Sequence, residues 1–120
     1  MTYTCGIVED ELLSERMLRG YLKRFPFLEI AWVCSYAEEA LDFIEKEKVN
    51  LLILDLQSVP IHQESAFYSL VSHQRCVIVT SVFPTQMVNV PLDVVSFLNK
   101  PFSIETFSQA VERFIEIVDD

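Results

Sequence analysis

Two kinds of apolar pattern alternate along the chain. Runs of mostly apolar residues occupy 4–8, 28–34, 51–54, 77–79 and 94–98, and each predicts a short strand. Between them, apolar residues recur at helical spacing. Leu12, Leu18, Leu22 and Phe25 mark a helix near 11–24, and Ala37, Ala40, Leu41 and Ile44 one over 36–48. Phe107, Val111, Phe114, Ile115 and Val118 line one face of a helix over 104–118. A shorter helix is expected over 64–72 and another between Pro84 and Pro91. Pro26 stops the first helix, and Ser103 can cap the last through its hydroxyl. The run Leu51-Leu52-Ile53-Leu54 is apolar at successive positions, as expected of a central parallel strand covered on both faces. Strands and helices alternating in this way predict a doubly wound α/β domain, with a five-stranded parallel sheet and helices on both faces.

In open α/β sheets the ligand site lies outside the carboxyl ends of the strands. The residues at or just past those ends are Glu9, Asp10, Asp55, Thr80, Ser81 and Lys100. Each has an ordinary explanation taken alone. An aspartate closing a strand is more often a cap or turn residue, Glu9-Asp10 suits a helix N-terminus, and Lys100-Pro101 suits the start of the last helix. Their joint appearance at four strand ends is much less ordinary. Carboxylates sharing one crevice repel, and a hard divalent cation such as Mg²⁺ relieves the repulsion through oxygen ligands. Asp10 and Asp55 would ligate it directly, Glu9 through water, and the backbone carbonyl of Gln57 would add an oxygen. Asp55 can also act as a nucleophile, because a carboxylate is ionised at neutral pH and needs no general base. The cation and Lys100 would neutralise an incoming phosphoryl group, and the hydroxyl of Ser81 or Thr80 would bond its oxygens.

Composition narrows the classes. The 120 residues fit one domain, 1–120, and a 51% apolar, 22% charged chain has the makeup of a globular protein. The net charge of −9 repels phosphate backbones, which argues against direct nucleic-acid binding. No apolar run is long enough to span a membrane and the N-terminus lacks a basic secretion signal, so a soluble cytoplasmic protein is expected. Cys5, Cys34 and Cys76 lie in or beside apolar runs without a CxxC pair, the pattern of buried free thiols. His62 and His73 have no neighbours that complete a metal site, and Trp32 is expected in core or edge packing.

Three segments carry a family resemblance: Ile7-Val8-Glu9-Asp10-Glu11, Leu51-Leu52-Ile53-Leu54-Asp55-Leu56-Gln57 and Phe97-Leu98-Asn99-Lys100-Pro101-Phe102. Together they resemble the receiver domains of two-component response regulators, across essentially the whole chain. The run from Leu92 to Leu98 is most similar to receivers of LytTR-type transcriptional regulators. The resemblance implies a flavodoxin-like strand order, 2-1-3-4-5. It implies that Asp55 accepts the phosphoryl group, that Glu9 and Asp10 hold Mg²⁺, that Lys100 contacts the phosphoryl group and that Phe97 is the aromatic switch residue. Ser81, followed by Val82-Phe83, suits the switch hydroxyl by context, and Thr80 suits it by spacing to Lys100. The implied partner is a histidine kinase. The implied output surface, which also serves homodimers, combines the fourth helix, fifth strand and fifth helix. DNA would be reached only through a separate effector domain beyond residue 120. The chain would then be a phosphorylation switch in transcription regulation and not a turnover enzyme.

The chain departs from the family after the acceptor, where Leu56-Gln57-Ser58-Val59-Pro60 replaces Met-Pro and no glycine follows. Val82 stands where alanine is usual. These changes favour, as an alternative, a receiver-like interaction module that works without phosphorylation. A haloacid-dehalogenase-type phosphatase would need an aspartate where Gln57 stands, and a P-loop enzyme would need GxxxxGK[ST], which is absent.

Overall fold

The structure is a computed structural model that describes residues 2–58, 64–83 and 94–119. Five strands are described: β1 (Tyr3–Val8), β2 (Leu28–Cys34), β3 (Leu51–Asp55), β4 (Val77–Ser81) and β5 (Ser96–Asn99). The described helices are α1 (Leu12–Leu22), α2 (Ala37–Lys46), α3 (Glu64–His73) and α4 (Ile104–Val118), with a short 3-10 turn at Leu56–Ser58. The strands form one parallel sheet in the order β2-β1-β3-β4-β5. This is the predicted order. The helix expected between Pro84 and Pro91, His62 and the run 59–63 lie outside the described residues.

Side-chain alternation divides the core into two layers, one on each face of the sheet. Cys5, Ile7, Leu51, Ile53 and Ile78 pack against Leu18 and Leu22 of α1 and against Phe107, Val111 and Phe114 of α4. On the other face, Val8, Leu52, Leu54, Val77 and Val79 pack against Ala37 and Ala40 of α2 and Phe67 and Leu70 of α3. This explains the unbroken apolar run in β3: all five of its residues are buried, because both faces are covered. Each fully buried Leu, Ile or Phe contributes roughly 1.5–3 kcal/mol of apolar transfer.

Three local features depart from the pattern or sharpen it. Helix α1 begins at Leu12, yet Leu12 is exposed, as is Leu13. Leu12 lies six residues before Leu18, so it is rotated about 120° from Leu18 and about 80° from Leu22, off the stripe that the two form. The helix ends at Leu22, before Arg24, and Phe25 packs on the core from the following turn. On the edge strand β2, Trp32 is buried and its indole stacks on Phe43. The same indole covers Gly6, where the β1–β2 register shifts and where an added Cβ would lie 2.5 Å from Trp32 Cζ2. Ser103 caps α4 as expected, accepting a hydrogen bond from the Thr106 N–H at 3.1 Å. Cys5, Cys34 and Cys76 are all buried free thiols. No described helix is long and apolar enough to cross a membrane.

Candidate functional site

The ends of β1, β3, β4 and β5 bring the predicted residues together. Glu9 follows β1 directly, and its backbone N–H donates to the Cys34 carbonyl at 2.9 Å, which ties the β1 exit to β2. Asp55 is the last residue of β3 and pairs in register with Thr80 of β4. Partners in a parallel register share a face, so the Thr80 hydroxyl reaches Asp55 and donates to Oδ1 at 3.1 Å. Lys100 follows β5, and its backbone N–H is held by the Ser81 carbonyl at 2.8 Å. The Lys100–Pro101 peptide is cis.

Lys100 is the centre of the cluster. Its Nζ lies 2.6 Å from Glu9 Oε1 and 3.0 Å from Asp55 Oδ1, and it donates to Ser14 Oγ at 3.2 Å. Glu9 is 2% exposed and Asp55 1% exposed, so the two carboxylates lie in a medium that strengthens both attraction and repulsion. Burial raises the Glu9 carboxyl above its ordinary 4.5, and the charge of Asp55 adds to that rise; the hydrogen bond from Lys100 opposes it without cancelling it. For Lys100, burial works against the ammonium form, but the hydrogen bonds and charges of Glu9 and Asp55 outweigh it and hold the group above 10.5. The lysine is therefore a cation at any physiological pH.

Asp10 is exposed at the mouth. Carboxylate oxygens of Glu9, Asp10 and Asp55 all lie within 4.8 Å of one another. An all-oxygen, anionic donor set of that spacing fits a hard cation such as Mg²⁺. Asp10 and Asp55, with Lys100, Ser14 and Gln57, line a cleft of about 600 Å³ that also includes Met17, Val82 and Pro101. A recess of about 440 Å³ between α2 and α3 is lined by none of the site residues predicted from sequence.

The remaining predicted residues take distinct places. Ser81 is fully buried, and its hydroxyl accepts from the Phe83 N–H at 3.0 Å. Gln57 crosses the cleft mouth: Oε1 accepts from the Val82 N–H at 3.3 Å, and Nε2 makes a long 3.5 Å contact with Ser81 Oγ. Phe97 is half-buried on β5 and packs against the layer that holds α2 and α3. His73 is exposed, with Nδ1 2.8 Å from the Ser69 carbonyl. Two residues of the site went unnoticed in the sequence. Glu11 is the N-cap of α1 and accepts from the N–H groups of Leu13 and Ser14 at 3.2 and 2.7 Å. Ser14 then faces Lys100. The signal was available: Glu11 and Ser14 are three apart at a helix start, so they meet on one side of its first turn.

No protein-family model matches the chain. An uncharacterized response regulatory protein of Shewanella oneidensis is 46% identical over 54 residues. That match covers 45% of this chain and 23% of the relative, less than a quarter of its length. Among solved structures, the chain is similar to the REC domain of AraT, a response regulator from Geobacillus stearothermophilus. The TM-score is 0.82 at 20% identity, covering 99% of this chain and 97% of that one. The response regulatory domain of mrkE from Klebsiella pneumoniae aligns with a TM-score of 0.78 at 19% identity, covering 95% of this chain and 96% of that one. The fold is thus the flavodoxin-like fold of response-regulator receiver domains.

Proposed function

We propose that this chain is a phosphorylatable receiver domain of a two-component response regulator, with Asp55 as the phosphoacceptor. One observation carries the reading: a buried strand-end aspartate held by a lysine ammonium at 3.0 Å and a threonine hydroxyl at 3.1 Å, inside a cluster of three carboxylates. A carboxylate oxygen of Asp55 attacks the phosphorus of a kinase phosphohistidine. The P–O bond of an acyl phosphate forms, the P–N bond breaks, and the imidazole leaves with the bonding pair and takes up a proton. Glu9, Asp10 and Asp55, with the Gln57 carbonyl, would hold Mg²⁺, which when bound neutralises negative charge on the transferring group. Lys100 supplies a second positive charge and fixes the orientation of Asp55.

Thr80 and Ser81 are the two candidates for the switch hydroxyl. The contact from Thr80 to Asp55 supports Thr80; the Val82-Phe83 context supports Ser81, which would first have to release the Phe83 N–H. Movement of the segment after Ser81 would free space for Phe97 to turn and alter the surface around Phe97 and α4; residues 84–90, expected from the sequence to share it, lie outside the described residues. We assign that surface to homodimerisation or effector contact, in a switch that regulates transcription in the cytoplasm without turnover of a substrate. A histidine kinase is the proposed phosphoryl donor, and the exposed Leu12, Leu13, Val82 and Phe83 beside the cleft suit a partner with an apolar docking face. The resemblance of residues 92–98 favours a LytTR-type DNA-binding output carried on a separate domain.

A second reading, an interaction module that works without phosphorylation, draws on the Gln57 contacts that bridge the cleft mouth. Intact mass after incubation with acetyl phosphate separates the two. Gain of one phosphoryl group that requires both Mg²⁺ and Asp55, and is lost in Asp55→Asn, supports the switch. No gain from acetyl phosphate or from a cognate kinase leaves the interaction module.

A further inference from the structure

An ammonium has three protons, and Lys100 Nζ has three acceptors in the site. Glu9 Oε1 and Asp55 Oδ1 belong to the acidic cluster; Ser14 Oγ, at 3.2 Å, belongs to α1. Ser14 is itself fixed. Its backbone N–H donates to Glu11 Oε2 at 2.7 Å, and the Glu11 N–H donates to Glu9 Oε2 at 3.2 Å. Glu9, Glu11, Ser14 and Lys100 therefore close a hydrogen-bonded ring that joins the cap of α1 to the residue following β5. The two linked residues are 86 positions apart in sequence.

We infer that Ser14 is a positioning residue, which holds the Lys100 ammonium at Asp55 while the carboxylates are engaged elsewhere. The inference rests on the reading of Asp55 as phosphoacceptor. A divalent cation, or a phosphoryl group arriving at Asp55, competes for the carboxylate oxygens that hold Lys100. Ser14 is neutral and lies outside the acidic cluster, so its bond to Lys100 survives that competition. Lysine carries its charge on a flexible four-carbon stem, and a second anchor reduces the freedom that must be frozen at transfer. The helix does not require the hydroxyl: alanine at the same position is a better helix former. What alanine cannot do is accept a hydrogen bond.

Ser14→Ala and Ser14→Thr test this with two readouts. In the first, phosphorylation by acetyl phosphate with Mg²⁺ is followed by intact mass. Ser14→Ala is expected to react about tenfold more slowly, the rate loss equivalent to one weakened hydrogen bond to a charged group. The Mg²⁺ concentration giving half the maximal rate should stay unchanged. In the second, with saturating Mg²⁺ and no phosphoryl donor, so that the cation occupies the carboxylates, brief acetylation by acetic anhydride is mapped to Lys100 by peptide mass. Lys100 should label several-fold faster in Ser14→Ala. Ser14→Thr, which keeps the hydroxyl, should restore both values. Phosphorylation of Ser14→Ala at the wild-type rate would overturn the inference. So would a slow variant with wild-type labelling of Lys100 and no rescue by threonine, because that pattern belongs to a disturbed helix. A wild-type chain that accepts no phosphoryl group would remove the reading of Asp55 and this inference with it, and the wild-type arm alone reveals that outcome.

Discussion

Replacing Lys100 with methionine keeps the length of the side chain and deletes its charge. The consequence can be worked from the geometry. Glu9 and Asp55 are 2% and 1% exposed, and both contact the ammonium within 3.0 Å. Their carboxylate oxygens lie within 4.8 Å of each other. At an effective dielectric of about 20, unit charges at that separation repel by about 3.5 kcal/mol. In the wild type the ammonium stands between them; in Lys100→Met it does not. Removing one member of a buried ionic group commonly costs about 3–5 kcal/mol. We therefore expect Lys100→Met to lower the unfolding free energy by about 3 kcal/mol at pH 7, a large share of the roughly 5–15 kcal/mol typical of a domain. Urea unfolding followed by fluorescence of Trp32, the single tryptophan, measures it. Saturating Mg²⁺ should recover more stability in the variant than it adds to the wild type, because in the wild type the cation must compete with the ammonium. A loss below about 1 kcal/mol, the value of an exposed ion pair, would refute the claim that the carboxylates are poorly solvated. Equal Mg²⁺ responses would refute the claim that cation and lysine share the same oxygens.

Two further predictions concern the core. Gly6→Ala would place a Cβ 2.5–2.8 Å from three atoms of the Trp32 indole, and should cost about 2 kcal/mol of stability by overpacking. Gly6→Ala combined with Trp32→Leu should lose less than the sum of the single changes; additive losses, measured by circular dichroism in urea, would count against the contact. Burial raises the Cys5 thiol to about 12, and burial with the charge of Glu39 raises Cys34 to about 12, against 9.0 for an ordinary thiol. As pH rises through 9 the unfolded chain loses thiol protons that the folded chain retains. Stability should therefore fall from pH 9 towards 12, and fall less steeply in Cys5→Ala. Equal alkaline slopes for wild type and Cys5→Ala would contradict the burial argument.

Much of the fold was legible because its signals are local. Leu51 to Leu54 announced a strand covered on both faces, and the apolar stripe of 104–118 announced the helix that covers one of them. The candidate site was legible for a different reason: strand ends in this topology converge, so locating the ends of four strands located Glu9, Asp10, Asp55, Thr80, Ser81 and Lys100 together. Sequence was less informative where the outcome depends on rotation or on tertiary partners. Leu12 looked like a core residue until its angle to Leu18 was considered. Ser14 lies among charged residues of α1, and only the position of Lys100, brought in from the far end of the chain, gives its hydroxyl a partner. Thr80 and Ser81 are adjacent and chemically alike. Their different surroundings follow from the register of β4 on β3, which no single-strand pattern encodes.

The hydrogen-bonded group at Lys100 also sets an order of events during synthesis. Its members come from the β1 exit, the first turn of α1, the end of β3 and the residue after β5, a span from Glu9 to Lys100 of 91 positions. A ribosome-bound chain that has emerged only as far as β4 contains Glu9, Asp10 and Asp55, but it lacks Lys100, which pairs with two of them. The ammonium that offsets part of that charge therefore arrives only with the residue after the last strand. Any chemistry that depends on Lys100 is withheld from unfinished chains and fragments, so the finished sheet acts as its own quality check.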